Sequence, residues 1–153
     1  KALNISMEIQ AIVSLDRTEC AVQCNSKKRI LEIISDIAAK NNPDIDQASV
    51  LNSLLTRERM GSTGIGNGIA LPHGRLPGLE HVIAIIVTSN PAIDFDALDD
   101  QPVDIFFALL VPEEKTEGHL QTLATVAGKL SDKETVKAIR RASTSDDIIT
   151  ALS

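Results

Sequence analysis

The chain has 153 residues, 43% apolar and 24% charged, with a net charge of −6; this is the make-up of one globular domain, spanning 1–153, with enough chain to bury a core. Its aromatic residues are Phe95, Phe106 and Phe107, without Trp or Tyr, which excludes an aromatic platform for single-stranded nucleic acid. The acidic balance argues against attraction to a nucleic-acid backbone or an anionic membrane surface.

In chain order, Cys20 and Cys24 come first. They lack a second pair, and the three histidines are scattered, so no zinc site is expected and free thiols in a cytosolic chain are. No apolar run approaches membrane-spanning length and no signal peptide is visible, so no membrane insertion is expected. The spacing predicts a helix over 26–42, with Ser26 as N-cap and Ile30, Ile33, Ile34 and Ile37 on one face. A second helix is predicted over 44–60, with Asp46 as cap and Leu51, Leu54 and Leu55 inward. The segment 68–71 reads as a short strand that carries His73 to a sheet end. Residues 82–89 and 103–112 are continuous β-branched or apolar runs of strand length, as in strands buried on both faces. Residues 92–98 alternate Ile93 and Phe95 with Asp94 and Asp96, as an edge strand would.

The last third reads as helical. Leu120, Leu123, Ala127 and Leu130 share a face over 119–130, Ser131 to Glu134 form a capping-box signature, and a short helix closes the chain with acids in its first turn. Two strands buried on both faces need helices above and below. The expected architecture is therefore a three-layer α/β/α domain around a mixed sheet.

Five of the chain's eight glycines fall within "GSTGIGNGIALPHGR", residues 61–75. Glycines in such density imply unusual backbone dihedrals or close approach of a ligand. Neither a P-loop nor a dinucleotide fingerprint fits the spacing. Pro72 and Gly74 bracket His73, whose imidazole is mostly neutral near pH 7 and so able to act as a nucleophile. A phosphoryl group there would need donors: backbone amides of the glycine turn at Gly64, Asn67 and Gly74, the hydroxyls of Ser62 and Thr63, and the guanidinium of Arg57. Such a site needs neither cofactor nor metal, because phosphoryl transfer asks mainly for positioning and charge stabilisation. The alternative is a histidine that only shapes a tight turn. His119 reads either as a boundary residue or as a second imidazole beside the first. His81 reads as structural or solvent-facing, and the acids between Asp94 and Asp104 as a solvated edge.

The stretches "SKKRILEIISDIAAK", "LTRERMGSTGIGNGIALPHGR" and "FDALDDQPVDIFFALLVP", with the helix opened by His119, resemble the enzyme IIA component of the bacterial phosphoenolpyruvate-dependent phosphotransferase system, mannitol/fructose type. The resemblance is narrower to its nitrogen-regulatory branch. It implies that His73 accepts the phosphoryl group through Nε2, with Arg57 and His119 as its active-site partners, and that the donor is a histidine-phosphorylated carrier similar to HPr. It also implies regulated target proteins; the cysteine usage and the lack of a spanning segment lead to the expectation of a cytoplasmic location, and the negative charge and lack of aromatic patches to that of a monomer. An apolar rim of Met60, Ile65, Ile69 and Leu71 is expected to exclude water. Sugar-transport relatives often carry "GEGIA" where this chain has Asn67, which favours regulation over the alternative, a sugar-specific IIA passing phosphate to a IIB domain.

Overall fold

The computed structural model describes residues 8–40, 42–114 and 117–153, leaving out the side chains of 117, 118 and 120. Residues 8–12 are helical (α1). A single 3-10 turn, Leu15–Arg17, leads into β1 (Thr18–Val22), an edge strand that composition did not signal. Helices α2 (Lys27–Lys40) and α3 (Gln47–Arg59) follow, then the short strands β2 (Gly64–Gly66), β3 (Ile69–Ala70) and β4 (His73–Leu76). The long strands β5 (Ile83–Ile93) and β6 (Val103–Pro112) precede α4 (Glu117–Lys129), α5 (Lys133–Arg141) and α6 (Ser145–Ala151).

Among the described residues six strands form one mixed sheet in the order β1-β5-β6-β3-β2, with β4 also on β6. β5 and β6 are antiparallel at its centre, β1 runs parallel to β5, β3 and β4 run parallel to β6, and β2 is antiparallel to β3. The apolar runs of β5 and β6 are explained by cover on both faces. Ile85, Val87, Phe106, Ala108 and Leu110 pack with Ile30, Ile34 and Leu54 from α2 and α3. Ala84, Ile86, Phe107 and Leu109 point the other way, against Val126, Ile139 and Ile148 from α4, α5 and α6. This is the three-layer architecture expected. Cys20 packs on one layer and Cys24 on the other, both as free thiols.

The caps follow local chemistry. The Arg29 amide donates to Ser26 Oγ (3.1 Å), and the Ser49 amide to Asp46 Oδ2 (3.0 Å), each satisfying an orphan helix donor. The expected capping box shifts by one residue. Asp132 caps α5 through the Thr135 amide, because Ser131 Oγ turns back to the Ala127 carbonyl at 2.9 Å. The inward reading of Leu120 lies outside the described side chains.

Residues 92–98 are not a separate edge strand. β5 runs on to Ile93, through a cis Asn90–Pro91 peptide, and the chain then leaves the sheet. Asp96 and Asp100 have φ of 56° and 59°, left-handed conformations that end extended backbone. The alternation still marks burial, since Phe95 and Ala97 sit in the core while Asp94 and Asp96 are exposed.

β3 and β4 are two pieces of one edge laid along β6. Ile69 pairs with Ile105, and after the interruption at Leu71–Pro72 His73 pairs with Leu109. Pro72 has no N–H to give, but its carbonyl accepts the Leu109 amide at 2.9 Å and keeps the edge in register. His73 thus opens β4, immediately after the break at Leu71–Pro72. Gly74 lets α3 lie directly on that edge: a Cβ there would stand 2.1 Å from Ser53 Oγ.

Candidate functional site

The glycine-rich segment is a hairpin. β2 and β3 are antiparallel and joined by Asn67-Gly68, with φ of 58° and 80°, as a two-residue type I′ turn requires. The "NG" dipeptide is the sequence signal for this turn, and reading the glycines as an anion cradle passed over it. The Asn67 amide donates to Asp99 Oδ2 at 2.9 Å. The Asn67 carbonyl accepts Arg140 Nη2 at 2.6 Å, while the same guanidinium grips Asp104 through Nε (2.9 Å) and Nη2 (2.9 Å). The turn is therefore clamped to α5.

This changes the donor set. Ser62 Oγ donates to the Phe95 carbonyl (2.8 Å) and accepts the Gly64 amide (3.1 Å). Thr63 is buried, with its amide and hydroxyl both donating to the Glu58 carboxylate. These groups, with Asn67, are committed inside the protein, and none of the four lines the cleft beside His73. The donors of Ser62, Thr63, Gly64 and Asn67, expected as a cradle, already have acceptors within the protein. Gly74 does line the cleft, and the acids at Asp99 and Asp104 hold the hairpin.

What the fold does bring together is Arg57, His73 and His119, in one cleft of about 830 Å³. Arg57 comes from the last turn of α3, His73 opens β4, and His119 lies in the first turn of α4. His73 Nδ1 lies 2.9 Å from the Leu71 carbonyl oxygen. A carbonyl only accepts, so Nδ1 carries the proton and Nε2 retains its lone pair. Burial pushes the His73 pKa below its usual value; the bond to Leu71 opposes this, the positive charge of Arg57 adds to it, and Glu58 works weakly against it. The net direction favours the neutral ring. Arg57 donates Nη1 to the Gly61 carbonyl (2.8 Å), which anchors the guanidinium at the end of its helix. Among the described residues, His119 Nε2 is buried and has no hydrogen-bond partner. A buried polar atom in that state awaits a ligand oxygen or a water.

The helix that carries Arg57 also lines the cleft with a polar stripe, Ser49, Asn52, Ser53 and Thr56, legible from its i, i+3, i+4, i+7 spacing but not singled out from sequence. The apolar rim also differs from expectation. Met60 lines the cleft and is 79% exposed, whereas Ile69 and Leu71 belong to the core and Ile65 stands on the hairpin outside the lining. Leu76, Val111 and Leu123 supply the rest of the apolar surface. His81 is exposed, the solvent-facing one of its two readings.

This cleft, with His73, Arg57 and His119 in its lining, belongs to a chain whose residues 11–153 match the family model "Phosphoenolpyruvate-dependent sugar phosphotransferase system, EIIA 2". The chain belongs to this family of phosphotransfer components. Within it, the likeness is to the nitrogen-regulatory branch. The chain is 44% identical over 144 residues to a nitrogen regulatory protein of Escherichia coli K12, covering 94% of this chain and 88% of the relative. The crystal structure of nitrogen regulatory protein IIA-Ntr from Neisseria meningitidis superposes with a TM-score of 0.88 at 33% identity, over 95% of this chain and 99% of that one. IIA mannitol from Escherichia coli shares the fold, with a TM-score of 0.75 at 15% identity, over 92% and 98% of the two chains. Among the described residues no helix is long and apolar enough to cross a membrane.

Proposed function

We propose that this chain is a cytoplasmic phosphocarrier that accepts a phosphoryl group on His73 Nε2 from a histidine-phosphorylated carrier similar to HPr, and regulates partner proteins through its phosphorylation state. The observation that carries the reading is the His73–Leu71 bond, which holds the proton on Nδ1 and leaves Nε2 as the nucleophile. In the transfer, the bond from the donor's imidazole nitrogen to phosphorus breaks as the bond from His73 Nε2 to phosphorus forms. The donor ring keeps the electron pair, and the His73 ring becomes cationic with its Nδ1–H still on Leu71. Positive charge passes from one ring to the other, so no proton has to move. Arg57 and His119 then meet the phosphoryl oxygens, the first by charge and the second through the Nε2 that now lacks a partner. The dianionic group changes the charge of the cleft mouth, and a target docking there senses it.

The test is incubation with phosphoenolpyruvate, an enzyme I and a matched carrier, on wild type and His73→Gln. One acid-labile phosphoryl group by intact mass, absent from the variant, is the expected result. Unmodified wild type with an active donor would sink the reading. Rapid onward transfer of that phosphate to a sugar-specific IIB domain would instead mark a transport component.

A further inference from the structure

Behind the cleft lies a buried carboxylate that the transfer chemistry does not use. The Glu58 side chain is 5% exposed, and its Oε1 meets Lys27 Nζ at 3.0 Å. The Thr63 amide donates to the same oxygen at 3.2 Å and the Thr63 hydroxyl to Oε2. Lys27 itself sits 4.6 Å above the centre of the Phe95 ring and 3.7 Å from Asp96 Oδ2. A carboxylate this buried is costly to desolvate, and an apolar group of like shape can serve stability as well. What an apolar group could not do is hold Thr63. The Thr63 carbonyl accepts the Leu71 amide at 3.0 Å, and the Leu71 carbonyl accepts His73 Nδ1–H at 2.9 Å. On its other side, the Glu58 carbonyl accepts the Gly61 amide at 3.1 Å, and the Gly61 carbonyl holds Arg57. One residue therefore stands at the root of two short chains of hydrogen bonds that end at the acceptor ring and at the guanidinium.

We propose that Glu58, held by Lys27, is a positioning residue: through Thr63 and Leu71 it fixes the His73 ring in the orientation and tautomer that present Nε2. This rests on the reading of His73 as the acceptor, and it gives Thr63 a role through its backbone carbonyl instead of as a phosphoryl ligand. A misplaced or freely flipping ring loses the alignment that in-line transfer needs.

The experiment uses the full chain, 15N-labelled, in four forms: wild type, Glu58→Gln, Thr63→Val and Thr63→Ser. Long-range proton–nitrogen spectra of the His73 ring read its tautomer, and single-turnover phosphorylation over a range of carrier concentrations separates the limiting rate from carrier affinity. Wild type should show the Nδ1–H tautomer alone. Glu58→Gln and Thr63→Val should admit the second tautomer and lower the limiting rate about tenfold, with the half-saturating carrier concentration unchanged. Thr63→Ser, which keeps the hydroxyl, should recover most of that loss. Folded Glu58→Gln and Thr63→Val with the wild-type tautomer and rate would overturn the proposal, as would a wild-type ring that populates both tautomers. Should the buried substitutions prevent folding, Lys27→Met at the 23% exposed end of the pair is read in the same way. The spectra need no phosphate, so a wild type that is never phosphorylated defeats the acceptor reading while the positioning claim is still decided.

Discussion

Gly74 and Ser53 pack so closely that the absence of one side chain permits the presence of the other. An added Cβ on Gly74 would lie 2.1 Å from Ser53 Oγ and 3.2 Å from the Ser53 carbonyl carbon. Ser53 Oγ in turn donates to the Arg75 carbonyl at 2.9 Å. Helix α3, which carries Arg57, is thereby seated against the strand that carries His73.

Gly74→Ala should accordingly destabilise the fold by about 2 kcal/mol, the usual cost of overpacking a rigid contact. Ser53→Ala alone should cost about 1 kcal/mol for the lost hydrogen bond. Chemical denaturation of both single variants and the double variant checks this. The double should cost less than the sum, because removing Oγ relieves the worst clash. Strict additivity would mean that the two residues do not bear on each other.

His73 carries a pH prediction. Burial holds its pKa below the ordinary 6.5, so phosphoryl acceptance should be level above about pH 7.5 and fall on acidification with a midpoint below about 6.5. Proton NMR of the His73 ring across the same range gives the midpoint directly. A midpoint at or above about 6.5 contradicts the burial argument. Stability is linked in the same direction. Between the lowered folded value and the unfolded value the unfolded chain binds more protons, so this residue's contribution is intact above about pH 6.5 and declines as pH falls, levelling beneath the folded value.

His119→Leu should separate function from stability. Removing a buried nitrogen that lacks a partner should leave the fold as stable as before or up to about 1 kcal/mol more so. The same variant should accept phosphate about a hundredfold more slowly, since a donor to the phosphoryl oxygens is gone. Thermal melts and single-turnover rates on one preparation test both halves. A drop of more than about 2 kcal/mol would recast His119 as core support.

Arg140→Lys tests whether the hairpin is scaffold or site. Lysine keeps the charge but loses the fork that spans Asp104 and the Asn67 carbonyl. We expect a loss of about 1 kcal/mol by denaturation, with phosphoryl acceptance within about twofold of wild type because the turn lies outside the cleft. A tenfold fall in acceptance would return the turn to the catalytic machinery.

Much of this protein was determined by local pattern. The helices beginning at Lys27 and Gln47 follow from apolar spacing and from Ser26 and Asp46, whose side chains can reach only amides of their own first turn. The layering follows from β5 and β6, because strands apolar on both sides can only be interior. His73, between Pro72 and Gly74, was legible as a candidate from its immediate neighbours, with Arg57 as a donor and His119 as an open alternative, and the resemblance chose between the readings of His119.

What only the tertiary structure decided are relationships between residues distant in the chain. Nothing local in "GSTGIGNG" says that its amides and hydroxyls are already taken: the acceptors Phe95 and Asp99 arrive from far along the chain, and nearby Glu58 is turned inward only by its pairing with Lys27. Nothing local marks β1 as a strand, since its pairing partner Ile86 is far along the chain. Nor does the sequence reveal that Glu58 is buried: a charged residue next to Arg57 near a helix end reads as solvated until Lys27, from another helix, is seen to neutralise it. Spacing specifies what a segment can become, whereas the satisfaction of its polar groups depends on which partners the fold brings within about 3 Å.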